Sequence, residues 1–107
     1  MEIKIYCSSN GHTPFTRWLE TLTDHKGRAA IKARLLRVQA GNFGDCKTLR
    51  DGVQELRIDH GPGYRVYLSK QGAVLVLLLC GSDKRDQSKA IAQAIDYLND
   101  WKQRGKP

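Results

Sequence analysis

Val53-Gln54-Glu55-Leu56-Arg57-Ile58-Asp59, His60-Gly61-Pro62-Gly63 and Tyr64-Arg65-Val66-Tyr67-Leu68 form the stretch that decides the fold. Apolar and polar side chains alternate on either side of a Gly-Pro-Gly loop, which is the period of half-buried strands joined in a hairpin. Leu56 and Ile58 then share one face with Tyr64, Val66 and Leu68, while Glu55, Arg57 and Asp59 share the other with Arg65 and Tyr67. Pairing core to core places Glu55, Arg57, Arg65 and Tyr67 on one polar sheet surface.

Outward from the hairpin, Gln71-Gly72 turns the chain into Ala73 to Cys80, a Val/Leu run that suits a strand buried on both faces at the centre of the sheet. Glu2 to Cys7 alternates and is predicted as the first strand. Thr13-Pro14 supplies a cap and a first-turn proline for a helix carrying Phe15, Trp18, Leu19 and Leu22. Asp24 caps a second helix with an Ile31, Leu35, Val38 stripe that stops at Gly41-Asn42. Gly41 to Gly52 reads as a connecting loop. From about Asp86 a last helix puts Ile91, Ala94, Ile95, Leu98 and Trp101 on one face. The expectation is one α+β domain over residues 1–107 in the order β-α-α-β-β-β-α. Its helices cover one sheet face, and the other is left for function.

Composition narrows the function classes. The longest apolar run, Ala73 to Cys80, is far short of the roughly 20 residues that span a bilayer. The start of the chain lacks a secretory pattern, so a cytoplasmic location is expected. Cys7, Cys46 and Cys80 are odd in number and widely spaced, and His12, His25 and His60 are isolated. Reduced thiols, no metal site and no cofactor are expected. The formal charge is +7, and seven basic residues against Asp45 alone put +6 of it between Lys26 and Arg50. Such an excess attracts polyanions or an acidic protein, unless it is simply a solvated helix surface.

The polar hairpin face carries the most chemistry. Two guanidiniums can grip phosphate oxygens, a tyrosine ring can stack on an unpaired base, and a carboxylate can accept a proton. The same residues can equally be cross-strand ion pairs with no further role, and periodicity leaves both readings open. In Gly81-Ser82-Asp83-Lys84-Arg85-Asp86-Gln87, Lys84 and Arg85 can meet phosphate near a helix N-terminus, while Asp83 or Asp86 serves as a cap.

Phe15-x-x-Trp18-Leu19, Gly41-Asn42-Phe43-Gly44-Asp45-x-Lys47-x-Leu49, Gly52-Val53-x-Glu55-Leu56-Arg57-Ile58, Gly63-Tyr64-Arg65-Val66-Tyr67 and Gly81-x-Asp83-Lys84-x-x-Gln87 occur collinearly over almost the whole chain. In this the chain resembles the RelE/ParE superfamily of type II toxin–antitoxin toxins, specifically its HigB-like addiction module killer branch. The resemblance implies a RelE-like fold, a helix-turn-helix antitoxin as partner, and metal-independent cleavage of mRNA on the ribosome by attack of a ribose 2′-OH on phosphate. It implies that Arg65 contacts the scissile phosphate, with Arg57 and Lys47 nearby and Glu55 or Tyr67 as positional candidates for proton transfer. RNA or phosphate contacts are expected from Lys84, Arg85, Gln87, Arg34, Arg37 and Arg50. The sequence departs from the family at Gln87, where RelE toxins carry a second arginine, and at Ile91, where they carry a stacking tyrosine. A ParE-like gyrase inhibitor or an inactive antitoxin-binding module are the alternatives.

Overall fold

The computed structural model describes all residues, Met1–Pro107. In chain order the elements are β1 (Glu2–Ile5), α1 (Pro14–Thr21), α2 (His25–Gln39), β2 (Cys46–Thr48), β3 (Gln54–Ile58), β4 (Tyr64–Gln71), β5 (Leu75–Asp83) and α3 (Gln87–Gln103), with one 3-10 turn at Lys84–Asp86. The strands form a mixed sheet ordered β1-β5-β4-β3-β2, in which only β1 runs parallel to its neighbour. None of the helices is long and apolar enough to cross a membrane.

The segment expected to be a loop, Gly41 to Gly52, contains β2. Lys47 pairs with Glu55 of β3, and the two strands are joined by a tight turn in which Arg50 C=O accepts from Val53 N–H (3.0 Å). Asp51 and Gly52 both take positive φ there (54° and 84°), the conformation that an Asp-Gly pair tolerates and a hairpin turn of this hand requires. The buried run also shifts. β5 begins at Leu75 and extends to Asp83, and although interior it lies beside β4, which is the middle strand.

The layers differ from the expected single helical face. Helices cover both faces of the sheet. Phe15, Ile31 and Val38 from α1 and α2 pack with Leu56, Ile58, Tyr64, Val66, Leu68, Val76 and Leu78 on one side. Ala90, Ala94, Leu98 and Trp101 of α3 pack with Val53, Tyr67, Leu77, Leu79 and Cys80 on the other. A bulge at Leu79, between the Tyr67↔Cys80 and Leu68↔Leu78 pairs, turns two consecutive side chains toward α3. α1 approaches β5 so closely that a Cβ at Gly81 would lie 2.2 Å from the Trp18 ring, so only glycine fits there. Asp24 caps α2 by accepting from Gly27 N–H (2.9 Å) and also accepts from Tyr64 Oη (2.9 Å), which ties the helix start to β4.

Candidate functional site

α3 starts at Gln87, past the end of β5, and runs back over β5 and β4. One end of that sheet face therefore has no helix above it. There β3 and β4 set Arg57 directly opposite Arg65, with Ser82 of β5 next in the row. Two like charges at opposed positions repel. Glu55, on the same face one pleat earlier, supplies the counter-charge: its Oε1 lies 3.1 Å from Arg57 Nε and 3.8 Å from Arg65 Nε. Its other oxygen accepts from Gln87 Nε2 (2.8 Å), so the first residue of α3 is fastened to the sheet cluster.

The carboxylate is fully buried at 0% exposure. Burying a charge costs several kcal/mol unless it is paired and hydrogen-bonded, roughly 3–5 kcal/mol being lost when one partner is removed. Glu55, a positional candidate for proton transfer, thus lies inside the fold as an internal counter-ion. Tyr67 departs from expectation through burial too. Its ring is 0% exposed, so it presents no stacking surface, and its hydroxyl lies 3.2 Å from Ser82 Oγ. Burial, opposed by the Ser82 bond and aided by the Glu55 charge, pushes the phenol up to about 12, which keeps it protonated at neutral pH.

Arg65 is the least satisfied member. Its Nε is a buried polar atom without a hydrogen-bond partner, while its Nη1 reaches Gly63 C=O (3.4 Å). Arg57 and Arg65, together with Lys84 from the 3-10 turn, line an open groove of about 490 Å³ whose wall is the Gly61-Pro62-Gly63 loop. Asp45 and Asp59 stand on its lining as well, so three cations share the groove with two carboxylates. Three donors of this kind around one cleft suit a phosphate group.

The remaining expected residues separate. Lys47 pairs with Glu55 on the same row but is exposed at the outer strand. Arg85 folds back on Asp83 (3.2 Å), which is also the cap of the 3-10 turn, accepting from Arg85 N–H (2.9 Å) and Asp86 N–H (3.3 Å). Arg34 lies apart from the groove lining: its guanidinium donates to the carbonyls of Phe43 (2.9 Å), Asp45 (3.3 Å) and Arg57, and so pins β2 and β3 to α2. Gln87 directs its amide to Glu55 rather than into the groove. Arg37 is exposed on α2, and Arg50 is exposed in the β2–β3 turn. Periodicity does not reveal Ser82, because the apolar run that marks the strand ends at Cys80 and the row with Arg65 is set by the β4–β5 register.

With this geometry in view, one relative is informative: an uncharacterized protein of Haemophilus influenzae is 56% identical over 80 residues, a span that covers 75% of this chain and 81% of that protein. The chain belongs to that protein's family. No family model matches the sequence.

Proposed function

We propose that the chain is a toxin of the RelE/ParE superfamily with a RelE-like fold, acting in the cytoplasm as a ribosome-dependent endoribonuclease held in check by a helix-turn-helix antitoxin. The observation that carries this reading is the convergence of Arg57, Arg65 and Lys84 on one open groove at the uncovered end of the sheet. Their donors suit the extra charge that develops on a phosphate attacked by a neighbouring 2′-OH, and a groove that is fixed before the substrate arrives needs little reorganisation. Glu55 and Gln87 hold the two arginines in place and touch no substrate. The bulk charge of α2 and the β2–β3 turn serves docking to ribosomal RNA.

Primer extension on cellular mRNA after induction tests this. Codon-linked cuts that vanish in a folded Arg65→Ala protein are expected, and growth arrest with intact message would overturn it. A gyrase-inhibiting toxin is the second reading, favoured by one feature: Glu55 and Tyr67, the candidates for proton transfer, are both buried. It predicts inhibited supercoiling in vitro.

A further inference from the structure

The groove lined by Arg57, Arg65 and Lys84 also carries a carboxylate on a firmly held piece of backbone. Asp45 precedes β2, and its C=O accepts from Arg57 N–H (3.0 Å), which extends the β2–β3 ladder by one pair. The same carbonyl accepts from Arg34 Nη2 (3.3 Å) of α2. Gly44, at φ 62°, leaves room for that approach, because a Cβ there would lie 3.2 Å from Arg34 Nη2. Opposed residues of a ladder project to one face, so Asp45, Arg57, Arg65 and Ser82 form a single row from β2 to β5. Asp45 is exposed and its carboxylate joins none of the chain's ion pairs, while Arg57, the cation opposite, turns its Nε to the buried Glu55. Farther along the row, Arg65 Nε is buried without a hydrogen-bond partner.

A carboxylate repels the phosphates that the three cations attract. Its place in the groove therefore points to a ligand that brings hydrogen-bond donors together with its anion, which a nucleotide does. Asp45 and Arg65 stand two strands apart, roughly 9–10 Å, and this is about the reach from a nucleotide's phosphate to the hydrogen-bonding edge of its base. A carboxylate offers acceptors only. Among the RNA bases, guanine alone presents two adjacent donors, N1–H and N2–H, on its Watson–Crick edge, and they match the two oxygens of one carboxylate. Adenine and cytosine set a ring nitrogen lone pair beside their amino group, and uracil flanks its N–H with two carbonyls, so each turns a lone pair toward the carboxylate.

We infer that Asp45 is the specificity-determining residue of the groove, holding the guanine of a single-stranded RNA whose phosphate lies on Arg65 and Lys84. A duplex is rejected, because a paired guanine has no free Watson–Crick edge. Asp59, the other carboxylate of the lining, lies beyond the last β3–β4 pair, Ile58↔Tyr64, where no ladder position fixes it. The inference rests on the groove being the RNA site proposed above, but it requires no cleavage.

The test uses the full chain and fluorescein-labelled 2′-O-methyl oligonucleotides of uracil with one central guanine, adenine or cytosine, beside the all-uracil probe. Their blocked 2′ oxygens allow binding without cutting. Anisotropy titrations should show binding at least about tenfold tighter for the guanine probe. Asp45→Ala, at an exposed position, should bring the four probes within about twofold of one another, weakening the guanine probe and tightening the uracil probe as the repelling charge goes. Asp45→Asn, which keeps the shape of the side chain, should lose the preference too. Arg65→Ala should weaken all four probes alike. Equal binding of the four probes by the unaltered chain, a preference that survives Asp45→Ala, or one that only Asp59→Ala removes would overturn the inference. Arg65-dependent binding without preference would strike the base assignment and leave the groove as an RNA site, whereas binding indifferent to Arg65→Ala, or none, would strike both. A guanine preference lost in Asp45→Ala, in a protein that leaves cellular mRNA intact, would uphold the inference and overturn the nuclease.

Discussion

The face of the sheet under α3 has two ends with opposite chemistry. Beneath the helix, Leu77, Leu79 and Cys80 meet Ala94, Leu98 and Trp101 in a dry apolar layer. Beyond the helix start β3, β4 and β5 carry Glu55, Arg57, Arg65 and Ser82, with one carboxylate balancing two guanidiniums. The difference teaches that the position at which α3 begins sets where charge is tolerated. Side chains that α3 covers must be apolar, whereas those past its first residue keep access to solvent on one side. Gln87, at the boundary, belongs to both ends: it opens the helix and donates to Glu55.

The largest effect should come from cutting the counter-ion. Glu55→Ala leaves two partly buried guanidiniums facing each other and should cost roughly 3–5 kcal/mol in urea unfolding. A loss below about 1 kcal/mol would mean the polar end is as solvated as an ordinary surface. Leu98→Ala, at the apolar end, should cost about 2–5 kcal/mol through the cavity it opens, without altering anion binding in the groove. If it altered both, the two ends would be one cooperative unit. Gly81→Ala forces a methyl into the Trp18 ring and should cost about 1–3 kcal/mol, measured as a lowered Tm. Arg65→Ala removes one of two competing cations while Arg57 keeps Glu55 neutralised. Its stability cost should stay near or under about 1 kcal/mol, although calorimetric binding of a short phosphate-bearing oligonucleotide should be lost.

The smallest effect concerns acid. The Gly27 N–H and the Tyr64 hydroxyl hold the Asp24 carboxyl below the usual aspartate range, and the Tyr6 hydroxyl does the same for Asp100. A lowered folded-state value stabilises the protein above the ordinary aspartate range, and this contribution disappears as pH falls through the folded value. Tm should therefore fall in acid, and Asp24→Asn should flatten that slope. An unchanged slope would exclude Asp24 as a contributor.

Much of the fold was legible because it depends on local period. The β3–β4 register, the Asp24 cap and the α3 stripe all follow from residues close in sequence. β2 escapes such a reading, since its three residues carry too little periodicity to register. The Asp51-Gly52 pair was the available signal, and it gains its meaning from the strand on each side. At the site, alternation correctly put Glu55, Arg57, Arg65 and Tyr67 on one face, yet it is silent about depth. Tyr67 is buried because α3 and Ser82 close over it, and Glu55 because two arginines and Gln87 surround it.

The amino-acid sequence alone determined which side chains share a strand or helix face, and that positive charge concentrates between Lys26 and Arg50, because both depend on spacing along the chain. Tertiary structure decided what each of these side chains meets. Arg34 donates to three backbone carbonyls, Arg85 pairs with Asp83 and the Gln87 amide binds Glu55, whereas Arg57 and Arg65, which share the one buried Glu55 carboxylate, join Lys84 in lining a common groove. Competition for a cation is settled by distance in space, and that distance exists only after the helices have packed on both faces of the sheet.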